Sequence, residues 1–181
     1  MKRIFGRKEQ KVSTRAKFVI VGLDGAGKST ILHTLKTNQF ENAGHTDEAA
    51  VEQIQIGSVC ASVYDLCGRQ SLRPQWKDYY PNCNGIVFVI DVSSSERFKE
   101  SKEELNSLLN ASDDVPILIL ANKVDIAGSY SRGDVISYFQ LENILNDFEN
   151  GRGKRPIKLY MSSALQRFGY TSGFNWLSSF V

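Results

Sequence analysis

The residues best equipped for chemistry are Gly22-Leu23-Asp24-Gly25-Ala26-Gly27-Lys28-Ser29, which fit the spacing GxxxxGK[ST] between an apolar run and a helical pattern. Glycines in such a turn let backbone N–H groups face inward and cradle phosphate oxygens. The helix N-terminus that follows adds partial positive charge. Lys28 supplies a cation for β- and γ-phosphates, and the Ser29 hydroxyl is placed to ligate Mg²⁺. Asp24, Gly25, Ala26, Gly27, Lys28, Ser29 and Thr30 are therefore the candidate phosphate contacts. A Gly-rich turn that merely caps a helix is the bland alternative, and the strand–turn–helix context argues against it. The motif leaves the base open, because ATPases, nucleotide kinases and GTPases all use it.

A second group addresses the base. Asn122-Lys123-Val124-Asp125 follows the apolar stretch Pro116 to Ala121 directly. The Asp125 carboxylate can accept from guanine N1–H and from the exocyclic amine. Adenine offers an acceptor at N1 and no amine at C2, so the same carboxylate would be left buried and unpaired. Lys123 can lie along the base plane, and Asn122 can tie this loop to the phosphate loop. Alone, the four residues could be a capped polar turn. Ser163 and Ala164 follow the last apolar stretch, where the Ala164 N–H could meet the guanine carbonyl. Together the three signals select guanine over adenine.

The elements that must carry these loops are legible in the hydrophobic pattern. Apolar runs alternate with helical periodicity, which predicts an α/β fold with a mostly parallel sheet. Strands are expected at Phe18–Val21, Val51–Ile56, Val59–Tyr64, Ile86–Asp91, Pro116–Ala121 and Ile157–Met161. Gly57-Ser58 joins the second and third as a type II′ hairpin turn. Helices are expected at Ser29–Thr37, from about Ser95 to Asn110, over 132–149 as one unit, and at Ser172–Phe180.

At 181 residues the chain fits one domain with a real core. The longest apolar runs are only strand-sized, and no apolar signal-peptide core follows the basic start, so neither a membrane span nor export is expected. Cys60, Cys67 and Cys83 are odd in number and lack a metal-binding spacing, as reduced thiols would. A net charge of +2 is too small to argue for nucleic acid, but it is unevenly spread: residues 1–17 carry +6. Residues 1–16 read as a basic arm and 17–181 as the domain. Two readings stand for the arm: a solvated tail, or a weak contact with anionic lipid worth about 1 kcal/mol per basic residue.

In order and spacing, Gly22–Thr30, Asp65-Leu66-Cys67-Gly68, Asn122–Asp125 and Ser162-Ser163-Ala164 resemble the small GTPases, and the stretches 65–76 and 85–91 resemble their Arf/Sar branch. The similarity covers nearly everything from residue 16 onward. The run 163–176 and the longer segment 146–155 look Sar-like, whereas Leu141-Glu142-Asn143-Ile144 looks Arf-like, so the subgroup stays open. The resemblance implies a P-loop NTPase fold: a six-stranded, mostly parallel sheet with one antiparallel edge hairpin and helices on both faces. It implies a GDP/GTP switch in vesicle trafficking, with Mg²⁺ as cofactor and an exchange factor, an activating protein and coat-type effectors as partners. It places Asp65 at the Mg²⁺, through water, and the Gly68 amide at the γ-phosphate. Loops 39–50 and 65–80 would change with the nucleotide, and the hairpin between them would shift register.

The chain departs from that pattern where hydrolysis is concerned. The family's Gln, or His in Sar-type proteins, directly follows the DxxG glycine, and here the residue is Arg69. Arginine has only donors and cannot position water as glutamine does. Gln70 is one residue late. Catalysis at Lys28, Gly68 and Arg69 is therefore expected to be slow or partner-dependent, or absent in a chain that serves as a docking subunit. Thr46, set among His45, Asp47 and Glu48, stands at the family's distance before Asp65 and is the third candidate Mg²⁺ ligand beside Ser29 and Asp65. Lys2 stands where myristoylation needs Gly, and Ser179-Phe180-Val181 holds no prenylatable Cys. A cytoplasmic protein, peripheral at most on ER or Golgi membranes, is the expectation.

Overall fold

The structure is a computed structural model, and the residues described are 14–41, 43–44, 46, 48–111, 114–153 and 155–181. The basic arm up to residue 13, His45 and Asp47 lie outside them. Six strands form one sheet: β1 Thr14–Val21, β2 Ala50–Ile56, β3 Val59–Asp65, β4 Gly85–Asp91, β5 Ile117–Asn122 and β6 Ile157–Ser162. Their order is β2-β3-β1-β4-β5-β6. Only β2 and β3 pair antiparallel. The helices are α1 Lys28–Thr37, the one-turn α2 Trp76–Tyr79, α3 Phe98–Ala111, α4 Arg132–Phe139, α5 Glu142–Glu149 and α6 Tyr170–Ser178. Short 3₁₀ turns at Arg73–Gln75 and Ser95–Arg97 lead into α2 and α3. No helix among the described residues is long and apolar enough to cross a membrane.

Strands buried on both faces read as continuous apolar runs, because successive side chains go to opposite layers. Phe18, Ile20, Val87, Val89, Leu118 and Leu120 face α1 and α6, meeting Ile31, Leu32, Phe174 and Leu177. Val19, Val21, Ile86, Phe88, Ile117 and Ile119 face the other layer, meeting Leu105 and Leu108 of α3 and Phe139 of α4. The expected mostly parallel sheet with an antiparallel edge hairpin and helices on both faces is the observed one. Gly57 has φ +58° while Ser58 is not among the positive-φ residues, as a type II′ turn requires.

Two expectations need correcting. The first strand begins at Thr14, four residues before Phe18, because its early part pairs with β3 from Thr14↔Val59 onward. Thr14 and Arg15 are exposed, so hydropathy does not mark them. The single helix over 132–149 is two helices, α4 and α5, with Gln140 between them in the left-handed conformation, φ 57°. Phe139 and Leu141 are both buried, at 2% and 1% exposure. Two residues apart on one helix would point roughly 200° apart, so burying both requires a break. The start of α4 is sharp: Ser131 and Asp134 form a reciprocal capping box.

The segment between β3 and β4 is held at its far end by Lys17 of β1. Its Nζ donates to the Tyr79 carbonyl at 2.8 Å and the Pro81 carbonyl at 3.2 Å. It also lies 5.2 Å from the centre of the Tyr64 ring.

Candidate functional site

The loops that carry the sequence motifs follow β1, β3, β5 and β6, at the carboxyl ends of parallel strands. The chain runs from β1 to one side of the sheet and later to the other, so the crevice at β1 and β4 is the switch point where α/β folds bind ligands. Two glycines fix the first loop. Gly22 has φ +138°, and a Cβ there would lie 2.3 Å from the Val89 carbonyl oxygen. Gly27 caps α1 at φ +95°, and a Cβ there would meet Asn122 Nδ2 at 2.4 Å. Lys28 is buried, and its Nζ donates to the carbonyls of Gly22 at 2.9 Å and Leu23 at 3.0 Å. Burial pushes its pKa down. Its ammonium is thus held inside the loop, aimed by the backbone that a phosphate chain would thread.

Three oxygen-bearing residues meet beside it. The Ser29 hydroxyl donates to Asp65 Oδ2, and Thr46 Oγ1 lies 2.6 Å from Ser29 Oγ. Because the single Ser29 proton goes to Asp65, Thr46 is the donor in that pair. Asp65 is buried, and its Oδ1 has no hydrogen-bond partner. Burial pushes the Asp65 carboxyl up, against the Ser29 hydrogen bond and the Lys28 charge. Two hydroxyls and an orphaned carboxylate oxygen are the hard oxygen donors that suit Mg²⁺. The group fits the ion on chemistry: Ser29 and Thr46 would hold it, and Asp65, bonded to Ser29, would orient that hydroxyl. An outer partner of this kind is worth about 10–100-fold in metal affinity. We expect Asp65→Asn to lose that factor, measured as the Mg²⁺ concentration needed to slow release of bound GDP. An unchanged midpoint would remove Asp65 from the site.

The base corner is built across β5 and β6. Asn122 is buried, and its Nδ2 donates to the Ala26 carbonyl at 2.9 Å, so it ties the two loops as its sequence position suggests. Its Oδ1 accepts from the Ala164 N–H at 3.3 Å, so a guanine carbonyl at that N–H would have to share or displace this bond. The Ser163 hydroxyl donates to Asp125 Oδ1, which fixes the carboxylate's rotamer. Lys123 has φ +73°, and its Nζ pairs with Asp91 at 2.6 Å.

These groups line one cleft of about 390 Å³, within the range of small-ligand sites. Asp24, Gly25, Gly27, Lys28, Ser29, Thr30, Thr46, Gly68, Arg69, Asn122, Lys123, Asp125 and Ala164 all reach it. Ala26, Asp65 and Ser163 do not line it and act through the bonds just described. Sequence reasoning missed Phe40 and Leu165, which line the cleft and are 44% and 55% exposed. A lone apolar residue in a loop carries no periodic signal, so only its exposure in the structure draws notice.

Gly68 packs directly on the phosphate loop. A Cβ there would lie 2.2 Å from the Asp24 nitrogen, and the Asp24 N–H donates to the Gly68 carbonyl at 3.3 Å. Arg69 is exposed and lines the cleft. Gln70 instead lines a separate hollow of about 240 Å³ between this segment and α3. Arg97 grips Asp24 through both the carbonyl, at 2.7 Å, and the carboxylate, at 2.9 Å. The Arg97 hydrogen bond holds the Asp24 carboxyl below its usual range.

A glycine-rich loop at the switch point of a six-stranded α/β sheet makes this the fold of a P-loop nucleotide-binding domain. The sequence pattern of the ADP-ribosylation factor family matches residues 1–181, and the chain belongs to that family of small GTPases. It is 37% identical over 176 residues to the small COPII coat GTPase SAR1 of Giardia intestinalis, covering 92% of this chain and 90% of that protein. It is also similar to the solved structure of the Arl6 BBS3 small GTPase of Trypanosoma brucei with bound nucleotide analogue GppNp. The TM-score is 0.78 at 28% identity, with 92% of this chain and 96% of that chain covered. The resemblance to the Arf/Sar branch is borne out.

Proposed function

We propose that this chain is a GDP/GTP switch of vesicle traffic, Sar-type in its role between ER and Golgi, whose unaided hydrolysis of GTP is slow. Membership of the family supports the switch, and the similarity to a protein named a COPII coat GTPase supports the trafficking role. In this reading residues 22–30 hold the phosphates, Asp125 and Ala164 read guanine, and Ser29, Thr46 and Asp65 serve Mg²⁺. Bound Mg²⁺ would neutralise charge developing on the phosphate oxygens. The basic arm precedes a GTPase domain whose sheet begins at Thr14 rather than at residue 17, and the two readings of the arm, a solvated tail or a weak contact with anionic membrane, both fit this role. Exchange factor, activating protein and coat-type effectors are the partners, and the protein is cytoplasmic or peripheral at ER and Golgi membranes.

One observation carries the slow hydrolysis: the residue at the cleft after Gly68 is Arg69, and Gln70 faces the hollow beside α3. No side chain from these two positions brings an acceptor to an attacking water. Single-turnover hydrolysis by the purified, GTP-loaded protein is expected at or below about 10⁻⁴ s⁻¹, the scale of unassisted Ras, and Arg69→Gln is expected to raise it. A rate well above that scale in the natural protein refutes the proposal. The same Arg69 favours a second reading, a non-hydrolysing docking subunit that stays in its GTP form. Co-purified GDP supports the switch, and GTP retained intact for hours supports the docking subunit.

A further inference from the structure

Arg73 has no part in the roles assigned above, yet its side chain is only 4% exposed. Its Nε–H donates to the Gly68 carbonyl at 2.7 Å. One terminal nitrogen lies 2.8 Å from a Glu100 carboxylate oxygen and 3.7 Å from Asp24 Oδ1, and the other donates to Glu104 at 3.2 Å. One planar fork therefore joins three pieces of chain: the segment after β3, the phosphate loop and α3. Glu100 and Glu104 stand four apart on one face of α3, where both can meet it. Burial opposes the Glu100 charge, but its bonds to Arg73 and Arg97 hold the carboxyl below its usual range.

The geometry of Gly68 gives the fork its consequence. The Gly68 carbonyl accepts from Arg73 and from the Asp24 N–H, so the plane of the 68–69 peptide is fixed relative to the phosphate loop. Gly68 and Arg69 line the same cleft as Lys28 and Asp24, and Gly68 packs against the Asp24 backbone. A ligand that reaches Gly68 makes its contact only when the segment is docked. A ligand one phosphate shorter does not depend on docking. Such differential contact is the physical condition for one site to bias another. We infer that Arg73 is a positioning residue that docks the 66–75 segment on the phosphate loop and thereby makes the protein distinguish a nucleoside triphosphate from the diphosphate. The inference rests on the guanine-nucleotide reading above.

The test measures dissociation constants for fluorescent GDP and for a fluorescent non-hydrolysable GTP analogue, with Tm recorded for each protein. Arg73→Gln is expected to weaken the triphosphate analogue about tenfold or more while GDP affinity stays within about twofold, the size of an ordinary coupling between sites. Arg73→Lys is expected to share the loss, because an ammonium keeps the charge but not the planar fork. If the Arg73 variants fail to fold, Glu104→Gln leaves the arginine in place and is expected to shift the same ratio in the same direction. Equal weakening of both nucleotides, or a lower Tm with an unchanged ratio, overturns the inference and leaves Arg73 a structural residue. Absence of any guanine-nucleotide binding by the natural protein would instead overturn the reading on which it rests.

Discussion

Asp125→Asn is expected to cost guanine-nucleotide affinity by about 10²–10⁴-fold and to make the site accept xanthine nucleotides in their place. The carboxylate is acceptor-only, and guanine presents two donors to it. An asparagine keeps one acceptor for N1–H but turns an amide N–H toward the exocyclic amine, donor against donor. One charge-assisted bond, worth about 1.5–3 kcal/mol, is replaced by a donor–donor clash, and the other keeps its acceptor but loses its charge. Xanthine carries a carbonyl where guanine carries that amine, so the amide donor finds a partner again. Ser163 can still donate to the remaining oxygen, so the rotamer that its hydroxyl fixes is kept. Competition between GDP and XDP for the variant decides the matter. A variant that holds GDP as tightly as the natural protein would show that Asp125 does not read the base.

The second large effect separates binding from stability. Lys28→Met is expected to lower triphosphate affinity by two orders of magnitude or more, about 3 kcal/mol, because the buried ammonium is the only cation placed inside the phosphate loop among the described residues. The fold itself is expected to hold within about 1 kcal/mol. Burial pushes the Lys28 pKa down, which says that its charge is costly in the folded chain without a ligand. Methionine fills the same stem volume and removes that cost, while the Gly22 and Leu23 carbonyls lose a donor, so the two changes oppose one another. Denaturation of the nucleotide-free variant beside the natural protein checks the second half, and nucleotide titration checks the first. A large loss of stability with normal binding would reverse the assignment.

The contrast between what the sequence discloses here and what it hides follows from the range of the forces involved. The loops at 22–29 and 122–125 are contiguous in sequence, and each carries its own chemistry, so spacing alone places them. The two core layers are legible because residues such as Phe18 and Val19 alternate faces within one strand. The break at Gln140 is not legible, since Val135, Phe139, Leu145 and Phe148 lie close enough to helical spacing to pass for one face. Only the burial of Leu141 on the same side as Phe139 requires the chain to turn. Arg73 is hidden for a different reason. Its partners Asp24, Gly68, Glu100 and Glu104 come from three separate parts of the chain, and no local pattern announces a charge that tertiary packing will bury. Phe40 follows α1 and Leu165 follows β6, so only the tertiary fold brings them to one cleft.

The tie made by Lys17 has a mechanical consequence. The chain from Gly68 to Pro81 is pinned at one end by Arg73 and the Asp24 amide, and at the other by the Lys17 ammonium. Between these two ties the buried Trp76 indole donates to the Cys67 carbonyl at 2.9 Å, so the span is also held at its middle. Its amides at Gln75 and Trp76, bonded to the Leu72 and Arg73 carbonyls, should therefore exchange more slowly with solvent than the amide of the exposed Ser71. The Tyr64 ring sits against the Lys17 ammonium, so a slip of β3 along β1 would load that support directly. Motion of the sheet edge and motion of this span are thus joined by a single side chain.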